Sequence, residues 1–198
     1  MSWSLPPRPR LDWAFPTSDN QHMPKSLREP MSPMPFDGIE DRLIPEAHHK
    51  LAYRFFLVFS RFEYALKRAG YVTGGGDSLA ADWDKFSSAY WKTHIPSNIP
   101  KLRKAWAYFS SHPPRKQILD NGSISWSKPQ ARTTEPELTW LLVSIRTVRN
   151  NLFHGGKYPY NPISDQARDS ILLEHTLTII EVCSEFNPVV SYHMNTVG

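Results

Sequence analysis

Arg146, Arg149, Asn150, His154 and Lys157 stand close together at the end of one apolar-periodic stretch, and their chemistry points to an anion. Guanidinium and ammonium groups hold phosphate oxygens, and an imidazole moves a proton near neutral pH. On a helix of about 100° per residue, Leu138, Leu141, Leu142, Ile145, Val148, Leu152 and Phe153 gather on one side, and Arg149 falls near the middle of that stripe. A guanidinium there is costly unless it meets a carboxylate, a phosphate or a polar cleft. Arg146, Asn150 and His154 follow one another a turn apart along the flank of the stripe, so they can converge on one ligand. Gly155-Gly156 would end the helix beside His154, where the negative end of the helix dipole tends to raise an imidazole's proton affinity. Lys157 adds positive charge beyond it. The cluster suits a phosphodiester better than a neutral substrate. The plainer alternatives are a His154 that only caps the helix, an Arg149 that snorkels from the stripe or pairs with Glu63, and an Arg146 and Lys157 that are solvated surface charge.

These residues need a long helix and partners to pack it. Periodicity places one helix from about Glu135 to Phe153 and another from about Ser164 to Phe186, an expected antiparallel pair. A first helix starts at Glu46, with Leu51, Phe55, Val58, Phe59, Phe62, Leu66 and Ala69 at helical spacing, and ends at Gly70. Its other face carries Arg54, Arg61, Lys67 and Arg68. Gly74-Gly75-Gly76 lacks the Gly-Lys-Ser/Thr and the preceding strand of a phosphate-binding loop and reads as a linker. Asp77 or Ser78 is expected to cap a helix through Trp83, Phe86, Ala89, Tyr90 and Trp91. Ser97 is expected to begin another through Leu102, Ala105, Trp106 and Phe109, stopped by Pro113-Pro114. From Ile118 to Trp126, Asn121-Gly122 between apolar-alternating flanks predicts a hairpin-like turn.

Nine of the 18 prolines fall in residues 1–45, which read as an extended arm, with Trp3, Trp13 and Phe15 as candidate anchors. Residues 46–187 make the helical domain and 188–198 a C-terminal tail. At 198 residues the chain can bury a real core without staples, and the single Cys183 cannot close an intramolecular disulfide. With no secretory start and no apolar run long enough to span a bilayer, a soluble protein of a reducing cytoplasm is expected, without a membrane partner. A net charge of +4 favours an anionic partner without proving one. The histidines find no cysteine or carboxylate at zinc-ligand spacing, so no metal or cofactor is expected. Lys101, Arg103, Lys104, Arg115 and Lys116 form a basic stretch that could extend a nucleic-acid groove or simply be solvated. The last long helix, acidic at Asp165, Asp169, Glu174, Glu181 and Glu185, is a poor recognition helix for DNA.

Arg149, four residues, then His154, with Asn150 directly after the arginine, resembles the Arg-x4–6-His signature of the HEPN superfamily. The words Arg149 to Lys157 and Phe59 to Tyr71 also read like bacterial members, and the resemblance covers about residues 46 to 187. It implies an all-α, HEPN-like antiparallel bundle of about five helices, here with the proline-rich arm and a short hairpin-like insertion. It further implies a homodimer that brings two Arg-His motifs together across a two-fold cleft, and a metal-independent endoribonuclease that cleaves RNA by 2′-hydroxyl attack. In that reading His154 moves the proton, Arg149 stabilises the phosphorane, Asn150 orients His154 or the phosphate, Arg146 and Lys157 guide the RNA backbone, and Glu63 orients Arg149. Single-domain relatives commonly serve as toxins or antiviral-defence effectors, which implies a protein partner or antitoxin. The competing expectation is a non-catalytic HEPN module that binds RNA or nucleotide, or mediates protein assembly.

Overall fold

The computed structural model describes residues 46–129, 135–153 and 166–196, which exclude residues 1–45 read as an arm, residues 130–134, residues 154–165 and the last two positions. Among the described residues there are six α-helices and two β-hairpins, so the chain is predominantly helical rather than purely so. Helix α1, Glu46–Arg68, forms where expected because Ala52, Phe55, Phe59, Phe62, Ala65 and Leu66 repeat at helical spacing and are all buried. It ends where Gly70 takes φ of +83°, a conformation that a side chain would strain.

The glycine run read as a linker is a hairpin. Strand β1, Val72–Gly75, pairs antiparallel with β2, Ser78–Ala81, and Gly74 and Gly76 take positive φ to turn the chain. That moves the next helix start downstream of Asp77 and Ser78, which the hairpin uses. The cap is Asp82, whose side chain accepts from Lys85 N at 2.8 Å, and α2 spans Trp83–Tyr90. Ser97 does not cap a helix either. Pro96 and Pro100 lack the amide protons that a continuous helix would require, so two 3-10 turns, Pro96–Asn98 and Pro100–Leu102, precede α3, Arg103–Ser111. The second hairpin follows the expectation: β3, Gln117–Asp120, pairs with β4, Ser123–Trp126, through a two-residue loop in which Asn121 and Gly122 have φ of +48° and +80°. Both central residues at positive φ match the right-handed twist of the strands.

Helix α4, Glu137–Phe153, is buried almost all round, from Leu138 to Val148. Its buried hydroxyls are satisfied on their own helix, Ser144 donating to Trp140 O at 2.9 Å and Thr147 to Val143 O at 3.0 Å. Contacts in its first turn fix its start: Glu137 accepts from Ser97 N at 2.9 Å, and Thr139 shares a hydroxyl bond of 2.6 Å with Ser87 of α2. Helix α5, Gln166–Ser184, packs against α1, α3 and α4. The segment read as a tail is helical: α6, Pro188–Asn195, lies along α1 and buries Val190. Asn187 starts it, accepting from Val189 N and Val190 N, with Pro188 in the first turn, where the missing amide proton costs nothing. Arg61 of α1 donates to Thr196 O just past its end. One core joins all six helices, with an aromatic centre of Phe59, Phe62, Trp83 and Phe86. No helix of the described residues is long and apolar enough to cross a membrane.

Candidate active site

The candidate residues of α4 divide by face. Arg146 and Asn150 are exposed and one turn apart, as their spacing requires, while Arg149 is half-buried between them. The guanidinium of Arg149 lies 5.9 Å from the ring centroid of Phe59 on α1 and 5.5 Å from that of Phe153, and it donates to Asn150 Oδ1 at 3.1 Å. A charge on an apolar stripe is thereby met by aromatic faces and an amide oxygen. Glu63 was the carboxylate expected to orient it. Glu63 is half-buried on α1, and the amide of Asn150 and the rings of Phe59 and Phe153 stand against the guanidinium. Arg146 lies 5.8 Å over the ring of Trp83, its charge still facing solvent.

Asn150 also lines a cleft of about 280 Å³, together with Lys116, Gln117, Thr147 and Asn151. The cleft forms where the end of α4 meets the foot of the β3–β4 hairpin. Asn151 Nδ2 donates to Arg115 O at 2.8 Å and ties the two together. The foot is closed by Arg115 Nε to Ser127 O at 2.6 Å, Lys116 N to Ser127 Oγ at 3.0 Å and Ser127 N to Lys116 O at 2.8 Å. From α5, Arg168 donates to Pro113 O at 3.1 Å, just ahead of the same segment. These backbone and side-chain bonds hold Lys116 and Gln117 beside Asn150, a placement that spacing along the sequence cannot reveal. The available signals were Asn151, an amide on the buried side of a helix, and the basic pair Arg115-Lys116 directly before a hairpin.

His154 and Lys157 lie outside the described residues; in sequence His154 directly follows Phe153, the last residue of α4. The structure therefore brings together Arg149, Asn150 and the cleft, with Arg146 a turn away on the same helix. Elsewhere the nucleophilic candidates are weak. Complete burial pushes the Cys183 thiol far above the usual thiol range, so it is held as an inert neutral group. Among the described residues no group of His, Cys, Asp and Glu side chains is arranged to hold a metal ion.

No protein-family model, curated protein or solved structure matches the chain.

Proposed function

We propose that the chain is a HEPN-like endoribonuclease, acting on RNA without a metal and working as a homodimer. The observation that carries the reading is Arg149: a guanidinium held at the end of a buried helix by aromatic faces, with Asn150 opening onto a polar cleft and His154 five residues on. Arg146, a turn away on the same helix, and Lys116, on the cleft wall, add positive charge suited to a phosphodiester. In the reaction the RNA 2′-oxygen bonds to phosphorus, the bond to the 5′-oxygen breaks, and a 2′,3′-cyclic phosphate remains. His154 carries the 2′-hydroxyl proton to the departing 5′-oxygen, Arg149 and Asn150 hold the non-bridging oxygens, and Arg146 and Lys157 draw in the backbone.

A second copy is supported by the surface next to Arg149. Tyr53, Phe56 and Leu57 of α1 expose apolar side chains, and Phe56 meets the exposed Phe153 edge-on at 5.5 Å. A contiguous aromatic patch of this kind favours self-association, and a two-fold contact there would set two arginines across one groove. The proposed setting is a cytoplasmic toxin or defence effector restrained by a protein partner.

The test is incubation of the purified protein with total RNA in EDTA, beside folded Arg149→Ala and His154→Ala variants. Wild-type cleavage leaving cyclic phosphate ends, lost in both variants, is the expected result. One observation favours a second reading, a non-catalytic module that binds RNA or nucleotide or mediates assembly: the Arg149–Asn150 bond is complete without substrate. Intact RNA in all three samples selects that reading.

A further inference from the structure

The cleft wall is unusual in its polar groups. Asn150 Oδ1 is occupied by Arg149 and Asn151 Nδ2 by Arg115 O, which leaves the Nδ2 donors of Asn150 and the Oδ1 acceptor of Asn151. Thr147 gives its proton to Val143 O and keeps only acceptor capacity. Gln117 contributes a whole primary amide, and Lys116 an ammonium. A wall of neutral donors and acceptors with one cation at its edge is mismatched to a bare phosphate. It fits the edge of a nucleobase together with one phosphate.

The hairpin continues this wall outward. Alternation puts Gln117 and Leu119 of β3 on one face, and register places Trp126 and Ile124 of β4 opposite them. Leu119 and Ile124 are each 77% exposed, an apolar pair with no cover, at the end of a face whose other end is the cleft. Along β3 the step from Gln117 to Leu119 is about 7 Å, within reach of a neighbouring nucleotide. A two-stranded hairpin is marginal alone, but its foot is fixed by Arg115, Ser127 and Asn151.

We infer that the cleft between the end of α4 and the foot of the β3–β4 hairpin binds one nucleotide of single-stranded RNA, its base edge against Gln117 and Asn151 and its phosphate at Lys116, while the next base lies on Leu119 and Ile124. This rests on the ribonuclease reading for the identity of the polymer. The contact to bases stands on the cleft alone, and it gives the site a preference for unpaired strands, whose base edges and faces are open.

The experiment measures binding of the full chain to a 2′-O-methyl oligoribonucleotide, which cannot be cleaved by 2′-attack, and to an abasic oligomer of the same length, by fluorescence anisotropy over a salt series. The wild type is expected to prefer the base-bearing strand. Gln117→Ala is expected to weaken that binding roughly fivefold, the loss of a net hydrogen bond or so. An Ile124→Thr, Leu119→Thr double variant, which keeps strand-forming side chains on exposed positions, should also weaken base-bearing but not abasic binding. Lys116→Ala should weaken both and lower the salt slope by about 1. Equal binding of the two oligomers by the wild type, or no change in any variant, overturns the inference; hairpin variants that lose self-association or a protein contact instead assign this face to a protein. Cleavage of unmodified RNA is scored on the same samples. Cleavage without base-dependent binding sinks the subsite and leaves the ribonuclease, whereas base-dependent binding without cleavage does the reverse.

Discussion

Replacing Asn187 by alanine removes two kinds of bond at one position, and serine separates them. The Oδ1 of Asn187 accepts from Val189 N at 2.9 Å and Val190 N at 3.2 Å, capping α6. Its Nδ2 donates to Tyr90 OH at 2.9 Å and to Tyr71 OH at 3.3 Å, which joins the cap to α2 and to the residue before β1. Losing a cap costs about 1 kcal/mol. Losing the donor costs about 1 kcal/mol more, since the two hydroxyls stay bonded to each other at 3.0 Å. Asn187→Ala should therefore lower unfolding free energy by about 2 kcal/mol and the melting temperature by roughly 4 to 8 °C. Asn187→Ser can still cap and should lose only about half of that. Urea unfolding followed by tryptophan fluorescence and by circular dichroism, with an unchanged denaturant slope, reads both values. If serine and alanine are equally destabilising, the cap contributes nothing and the account of α6 is wrong. If alanine costs less than about 0.5 kcal/mol, so is the account of the tyrosine bonds.

Burial, then the bond to Tyr90, pushes Tyr71 up to about 12 from the usual 10. A group raised in the folded state supports folding below its unfolded value and loses that support above it. Alkaline unfolding should accordingly begin between pH 10 and 12, and Tyr71→Phe should remove this component, as read by tyrosinate absorbance against circular dichroism. Desolvation lowers His175 below the ordinary histidine value, with Glu174 opposing and Lys104 adding to the effect. Its contribution is present above about pH 6.5 and fades as pH falls, and an NMR titration should find His175 protonating after the exposed histidines. Gly122→Ala places a side chain at φ of +80° in the second hairpin. The expected cost is about 1 kcal/mol or more, with weaker RNA binding at unchanged helical content. Arg149→Lys keeps the charge and loses the planar fork, so RNA cleavage should fall roughly 100-fold or more while the melting temperature moves little.

The helices that carry the site were legible because each is announced by its own residues. Phe55, Phe59 and Phe62 mark the buried face of α1, and Leu138 to Val148 mark a helix with little polar surface. Asn121-Gly122 was legible for the same reason, since a turn is decided by two residues. What escaped depended on competition between neighbours. Gly74 and Gly76 read as slack chain, yet they supply the positive φ of a tight hairpin, and that hairpin consumes the residues that seemed to cap α2. Pro96 and Pro100 turned an expected helix start into 3-10 turns. Residues 188–198 read as a tail, yet Pro188, placed directly after the capping Asn187, opens α6.

The candidate site divides along the same line. Arg146, Arg149 and Asn150 share one helix, so periodicity alone sets their faces. Lys116 and Gln117 come from a hairpin foot more than thirty positions earlier, and only the bonds through Arg115, Ser127 and Asn151 bring them to Asn150. Arg149 has an aromatic neighbour, Phe59 of α1, that spacing along one helix does not reveal. Its place on the apolar stripe rightly demanded a partner, and a carboxylate was the natural choice on electrostatic grounds. Phe59 and Phe153 meet that demand differently, because a guanidinium is planar and weakly hydrated enough to lie over rings. Asn150, which accepts from the guanidinium, also lines the cleft, so the same amide that meets Arg149 sets it beside Lys116 and Gln117.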